Sequence, residues 1–496
     1  MSLYKDLINS CQNRKNDRAI YSNHHFSSYA RFIKKVDFYA DFFAKVMNFH
    51  KENVVSLCLD NSISSLAMIY GLNKIGVIVN LINPCLPVDQ ILYFDSIIRS
   101  RVLILEKSIY QQNYQNLKSA KDKIAVFDDE NISFRKVKRN IKFRKIDDAA
   151  IPFNVKRRIR RDKYSSLIDD SSLAITAPNE RFDSVPYLAC FTNKNLHQSL
   201  LNNIGLYNGI RNKNVVYIQG SIMSFSMLMT YFHPLLCAGI PIYIDKISEN
   251  ISNETLVWKR FTILCSDEGN LKATLSSENA NNSHLIKKIR RIYIYNDLNR
   301  DYVFDRLQEL CQAYKKHIPL ISILGSVETG GSICAANMTE DIIMCFGKFL
   351  GDIKPFISKN SKIGPKGSLV VESKANMIGY YKQNVINDEL ITSKGLNTRF
   401  NGAVDEYGRF HLLNSVTIKQ TFTHTSLYLF NVRMMLLTIP GINNVEISFS
   451  SKNIDTIECI IDAGENETSR ITSEVSVYLD NYIKDKNLDY QIIFKR

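Results

Sequence analysis

The stretch LAITAPNERFDSVPYLACFTNKNL, Leu173–Leu196, decides how this chain is read. An apolar strand leads into a polar loop, and Thr192-Asn193-Lys194-Asn195-Leu196 starts a helix, with a hydroxyl placed to cap it. A loop between a strand and a helix is a natural cradle for an oxyanion when glycines let successive backbone N–H groups converge and a lysine offsets the charge. From Asn179 to Tyr187 there is neither glycine nor lysine. Phe182 would block such a cradle and Asp183 would repel its anion.

Working outward, Val54–Asn61 (VVSLCLDN), Leu66–Pro84 (LAMIYGLNKIGVIVNLINP) and Arg101–Leu105 (RVLIL) read as strand, helix and strand. Apolar strand-like runs alternating with a helical period are the βαβ signature of a parallel sheet. The chain has 496 residues, 45% of them hydrophobic, enough for several packed domains. The polar, charged start up to Asn16 is unlike a signal peptide. No apolar run approaches the roughly 20 residues of a membrane span, so a cytoplasmic protein is expected.

These landmarks occur in the order found in the adenylate-forming superfamily, which contains acyl- and aryl-CoA synthetases, luciferases and peptide-synthetase adenylation domains. Leu173–Leu196 resembles its T-S-G-T-T-G-x-P-K-G phosphate loop and T-H-x-N-L helix start. Aligned on Thr192–Leu196, the loop proline is Pro186, the glycines become Arg181, Ser184 and Leu188, and the lysine becomes Tyr187. The hydroxyl-bearing positions become Asn179, Glu180, Phe182 and Asp183. Val215–Ile244 resembles the acyl-pocket segment, with Met223 at the histidine position and Phe225 beside it.

Leu324–Gly331 (LGSVETGG) resembles the Y-G-x-T-E-x-x-G loop of the nucleotide and Mg²⁺ site, keeping Gly325 and Glu328 around Ser326 and Val327. Gly367–Lys382 (GSLVVESKANMIGYYK) resembles a structural landmark of the family. Gly395–Leu413 resembles the segment of the ribose-binding aspartate, which falls on Phe400, or on Asn401 with a slip of one residue. Neither offers the carboxylate that holds two ribose hydroxyls. The following Gly-Arg pair falls on Asn414 and Ser415. Ile439-Pro440-Gly441-Ile442 resembles the h-P-G-V turn of the C-terminal subdomain, and the lysine of the family's N-G-K loop would lie beyond Arg496; Lys495 reads as a solvated charge.

The resemblance implies an α/β fold: stacked α/β subdomains and a barrel-like part over residues 1–416, then a small, truncated α+β lid over 417–496. Phosphate loop, ribose carboxylate, nucleotide arginine and terminal lysine are parts of one site and are missing together, while Gly325, Glu328, Gly379, Tyr380 and Gly408 remain. This points to a non-catalytic relative of acid:CoA or acid:carrier-protein ligases that binds an acyl group, a carrier protein or another protein partner, with no cofactor. Two alternatives stay open. One is an active ligase that binds ATP and Mg²⁺ through unconventional contacts, and the other is an ATP-independent acyl-transfer protein.

Charge adds one candidate surface. The net +14 is uneven: residues 135–163 carry thirteen Lys/Arg, among them Arg135, Lys136, Lys138, Arg139, Lys156, Arg157, Arg158, Arg160 and Arg161, against three Asp. Such a run attracts an anionic partner or is simply solvated. Carrier protein or phosphopantetheine suits it better than nucleic acid, because few aromatics lie nearby and no nucleic-acid motif is present. Ten scattered cysteines without C-x-x-C or zinc spacing read as reduced core residues, and Cys190 beside His197 reads the same way. The pair His24-His25 reads as surface. No metal site is expected, and Glu328 reads as a loop anchor, since a lone carboxylate without phosphates is a poor Mg²⁺ site.

Overall fold

The computed structural model describes residues 2–22, 25–117, 123–128, 131–134, 169–179, 187–210, 214–247, 261–276, 281–295, 300–338, 345–358, 367–412, 436, 439–449, 456–463, 468–483 and 489–494. They fall into two units. The first comprises Met1–Phe356, Val370–Thr398 and Glu406–Phe410; the second comprises Ile357–Leu369, Arg399–Asp405 and His411–Arg496.

Within the first unit, one sheet runs in the order Gly379–Tyr380, Leu188–Thr192, Leu173–Pro178, Ile78–Leu81, Val54–Cys58, Val102–Glu106, Ile124–Asp128, Asn131–Phe134. Its centre is parallel, with Val54 opposite Ile78, Val55 opposite Val102, and Val79 opposite Ile175. Strands of a parallel sheet are covered on both faces, which is why they read as largely apolar runs. The helix Ile63–Lys74 starts where the Ser62 hydroxyl accepts the Ser65 N–H at 2.9 Å, and nearly all of its residues are buried. Inside this core the Thr176 hydroxyl donates to Asn80 Oδ1 and Asn80 Nδ2 donates to Ser56 Oγ, both at 3.0 Å. A slip of one residue would turn these polar groups to the other face, so the ladder fixes the register of three strands.

A second sheet of the same unit contains Val215–Gln219, Phe261–Asp267, Arg291–Tyr295 and Leu320–Ser326 in parallel. On one side it continues through Ile242–Ile244 to Arg18–Ser22, with Ile20 opposite Ile242. On the other it turns antiparallel through Gly331–Asn337 and Cys345–Phe349. Its core includes Leu264, Leu271, Leu285, Ile292, Phe304 and Leu307.

The second unit holds Ile442–Phe449 antiparallel to Thr456–Ala463, which pairs in parallel with Asp489–Phe494. Val475 and Leu479 of the helix Thr468–Ile483 pack with Val445, Cys459 and Ile461. This is the expected small α+β arrangement. For the barrel-like part, no sheet closes into a barrel among the described residues. Alternation marks strands, but closure depends on tilt and stagger, which residue pattern does not specify. Among the described residues no helix is long and apolar enough to cross a membrane.

Candidate functional site

Leu173–Pro178 and Leu188–Thr192 form an antiparallel hairpin, paired from Leu173 opposite Thr192 to Pro178 opposite Leu188. Its described ends are tied together: Asn179 N–H donates to the Tyr187 carbonyl at 2.9 Å, and Tyr187 N–H donates to Asn179 Oδ1 at 2.8 Å. Glu180, Arg181, Phe182, Asp183, Ser184 and Pro186 lie outside the described residues. At the far end, Thr192 and Asn195 form a reciprocal capping box that starts the helix Asn193–Ile204.

The outer edge of Leu188–Thr192 receives Gly379–Tyr380, with Gly379 opposite Cys190 and Tyr380 opposite Ala189. Ile378 N–H donates to the Cys190 carbonyl at 2.9 Å and Tyr381 N–H to the Leu188 carbonyl at 2.8 Å. The Asn387 side chain brackets Tyr380, accepting its N–H at 2.6 Å and donating to its carbonyl at 2.9 Å. The Tyr380 ring packs on Tyr187, centroids 5.1 Å apart.

The Tyr380 hydroxyl donates to Glu328 Oε1 at 2.6 Å. Glu328 sits in the one-turn 3₁₀ helix Val327–Thr329, capped by Ser326 and Thr329, and its carbonyl accepts Met377 N–H at 2.8 Å. Gly330 leaves this turn in the left-handed region at φ 76°, where a Cβ would stand 2.4 Å from the Ala375 carbonyl oxygen. Glu328 is buried at 6% exposure, and among the described residues its Oε2 has no hydrogen-bond partner. A buried carboxylate oxygen in that condition is a strong acceptor facing no donor.

Hairpin, turn and Gly379–Tyr380 thus join Tyr187 to Glu328 through Tyr380. Met223 and Phe225 are buried, and Phe225 stacks on Phe191 with centroids 4.1 Å apart and planes 16° from parallel. Gly325 and Ser326 end the strand before the turn, and Val327 is buried within it. In the second unit, Phe400 is buried and Asn401 exposed on the strand Gly395–Val404. Ser415 and the basic residues Arg135, Lys136, Lys138, Arg139, Lys156, Arg157, Arg158, Arg160 and Arg161 lie outside the described residues, as does His24.

The Cys190 thiol is pushed up to about 12 by burial, far from a reactive thiolate, and His197 faces Asp6 instead. None of the ten cysteines forms a disulfide; nine are buried, and Cys85 is exposed. Among the described residues no group of His, Cys, Asp and Glu is arranged to hold a metal ion. Sequence reading missed what Tyr380 and Asn387 do: the GYYK landmark marks Tyr380 as structural, but the partner of its hydroxyl is 52 residues away in the chain.

Replacing Tyr380 with Phe would leave both Glu328 oxygens buried without that donor. Tyr380→Phe is expected to lower stability by about 1–3 kcal/mol, seen as a lower urea midpoint at unchanged slope.

The fold has known counterparts. The model of the AMP-binding enzyme family matches residues 7–163. Over 100% of this chain and 97% of its own, a long-chain-fatty-acid-CoA ligase from Archaeoglobus fulgidus superposes with a TM-score of 0.67 at 13% identity. A fatty acyl CoA synthetase from Mycobacterium tuberculosis gives 0.67 at 13%, covering 100% and 94%. O-succinylbenzoate coenzyme A synthetase from Bacillus subtilis, in complex with AMP, gives 0.66 at 14%, covering 99% and 95%. No curated protein matches the sequence. The chain has the adenylate-forming fold of the acyl-CoA ligases, and over residues 7–163 it matches the AMP-binding enzyme family.

Proposed function

We propose that this chain is a non-catalytic relative of ATP-dependent acyl- and aryl-acid ligases, using the fold to bind an acyl group, a carrier protein or another protein partner. The observation that carries this reading is the hairpin end. The backbone N–H groups of Asn179 and Tyr187, at the two described ends of the loop, are spent on each other's residue, and no glycine or lysine lies between them. Nor do the other groups fit a triphosphate with its magnesium. Glu328 Oε1 is held by Tyr380, and the ribose position offers the Phe400 ring or the Asn401 amide in place of a carboxylate.

The active-ligase reading is favoured by one feature, the unpartnered Oε2 of Glu328, which would accept a donor or a cation. Calorimetric titration with ATP and Mg²⁺, beside thermal shifts with AMP, coenzyme A and acyl-CoAs, separates the two. No response is expected to ATP or AMP at millimolar concentration. A bound acyl-CoA at about 100 times its Kd would stabilise by about 2.7 kcal/mol. Micromolar ATP binding would overturn the proposal and restore the ligase.

A further inference from the structure

The N-terminal helix Leu3–Cys11 is anchored by ionisable side chains gathered from several other helices. Asp6, 4% exposed, sets Oδ1 2.9 Å from His197 Nδ1 on the helix Asn193–Ile204. Its Oδ2 lies 3.9 Å from His233 Nε2 on the helix His233–Cys237 and makes no hydrogen bond among the described residues. The His233 ring is wholly buried, with Nδ1 2.8 Å from the Tyr70 hydroxyl on Ile63–Lys74.

Other groups face the cluster. Cys237 Sγ lies 3.7 and 4.0 Å from the His233 ring nitrogens. Tyr29, on the helix Tyr29–Asp41, donates to the Leu236 carbonyl at 2.7 Å, and the Arg14 guanidinium donates to the Ala238 carbonyl at 2.6 Å. Cys11 closes the N-terminal helix, Asp17 follows it, and Lys74 meets Asp37 at 2.8 Å and the Tyr4 hydroxyl at 2.9 Å.

A carboxylate this deeply buried is unfavourable unless a positive charge or donors compensate it. Two histidines point at Asp6, and only His197, 26% exposed, has access to water. A protonated His233 gives the unbonded Oδ2 its counter-charge. Burial alone would hold that imidazole uncharged; Cys237 and Asp6 outweigh burial and lift it to about 9. The titrations of Tyr70, Tyr29 and Cys11 are pushed up by burial.

We propose that Asp6, His197 and His233 form a proton-dependent latch that keeps the N-terminal helix docked and loosens it when the medium turns alkaline. Because His233 titrates above its unfolded value of 6.5, its contribution is complete below that pH and is lost as pH rises through about 9.

Hydrogen exchange with millisecond labelling, followed by mass spectrometry of the peptide covering residues 3–11, tests the latch on the whole protein. After correction for intrinsic base catalysis, this peptide is expected to open about tenfold more readily at pH 9.5 than at pH 7. The core strand Val54–Cys58 should not follow it. Asp6→Asn should open the helix already at pH 7 and remove the pH response, and His197→Gln, at the partly exposed partner, should shift part of the way. Unchanged protection of the wild-type peptide between the two pH values would overturn the proposal, as would a full response in Asp6→Asn.

Discussion

Gly325→Ala is expected to destabilise the protein by about 3 kcal/mol or more, at the upper end of what overpacking costs. A Cβ at this position would stand 2.2 Å from the Gly331 carbonyl oxygen, 2.8 Å from its carbon and 2.9 Å from Ser332 Cα. All three are backbone atoms, so no side-chain rotation relieves the clash. The strands themselves must part, and they part where pairing is already irregular, between Leu324 and Gly325. Gly205→Ala is the control, because the nearest atom to its Cβ would be 3.9 Å away. A urea midpoint for Gly325→Ala equal to that of the control would refute this account of the turn.

The second large effect is expected at Phe191, fully buried in the second strand of the hairpin. Phe191→Ala should cost about 3–5 kcal/mol. Its ring is stacked on Phe225, which follows a strand of the other sheet in the same unit, so the pair fastens the two sheets to each other. Phe225→Ala should cost a similar amount, and a double-mutant cycle should return a coupling of about 0.5–1.5 kcal/mol for the stacked rings. Strict additivity of the two losses would show that each ring acts through burial alone.

How far the molecule was legible in its sequence depends on the distance between partners. The runs around Val54, Ile78 and Val102 announced the parallel sheet because strands covered on both faces are mostly apolar. Thr192 and Asn195 were visible as a helix start because a capping box is local. The joining of Tyr187, Tyr380 and Glu328 was not visible. Each residue sat in a recognisable stretch, but no local rule pairs a hydroxyl at 380 with a carboxylate at 328. His197 shows the same limit: beside Cys190 in the chain, it turns to Asp6, 191 residues away. Barrel closure is legible in a different way, since strands can be read one at a time while closure belongs to all of them together.

The docking of the N-terminal helix bears on how the chain is made. Leu3–Cys11 packs on helices that begin at Asn193 and His233, and the strand Arg18–Ser22 pairs with Ile242–Ile244. At about 5–20 residues per second of synthesis, this opening segment leaves the ribosome tens of seconds before its partners exist. Throughout that interval Leu3, Leu7, Phe32 and Val36, all wholly buried in the finished fold, remain in contact with water or with a chaperone. Leu3–Cys11 is therefore made well before the helices it packs on, and the nascent chain carries an unpaired apolar surface until the segment through Ile244 has been translated.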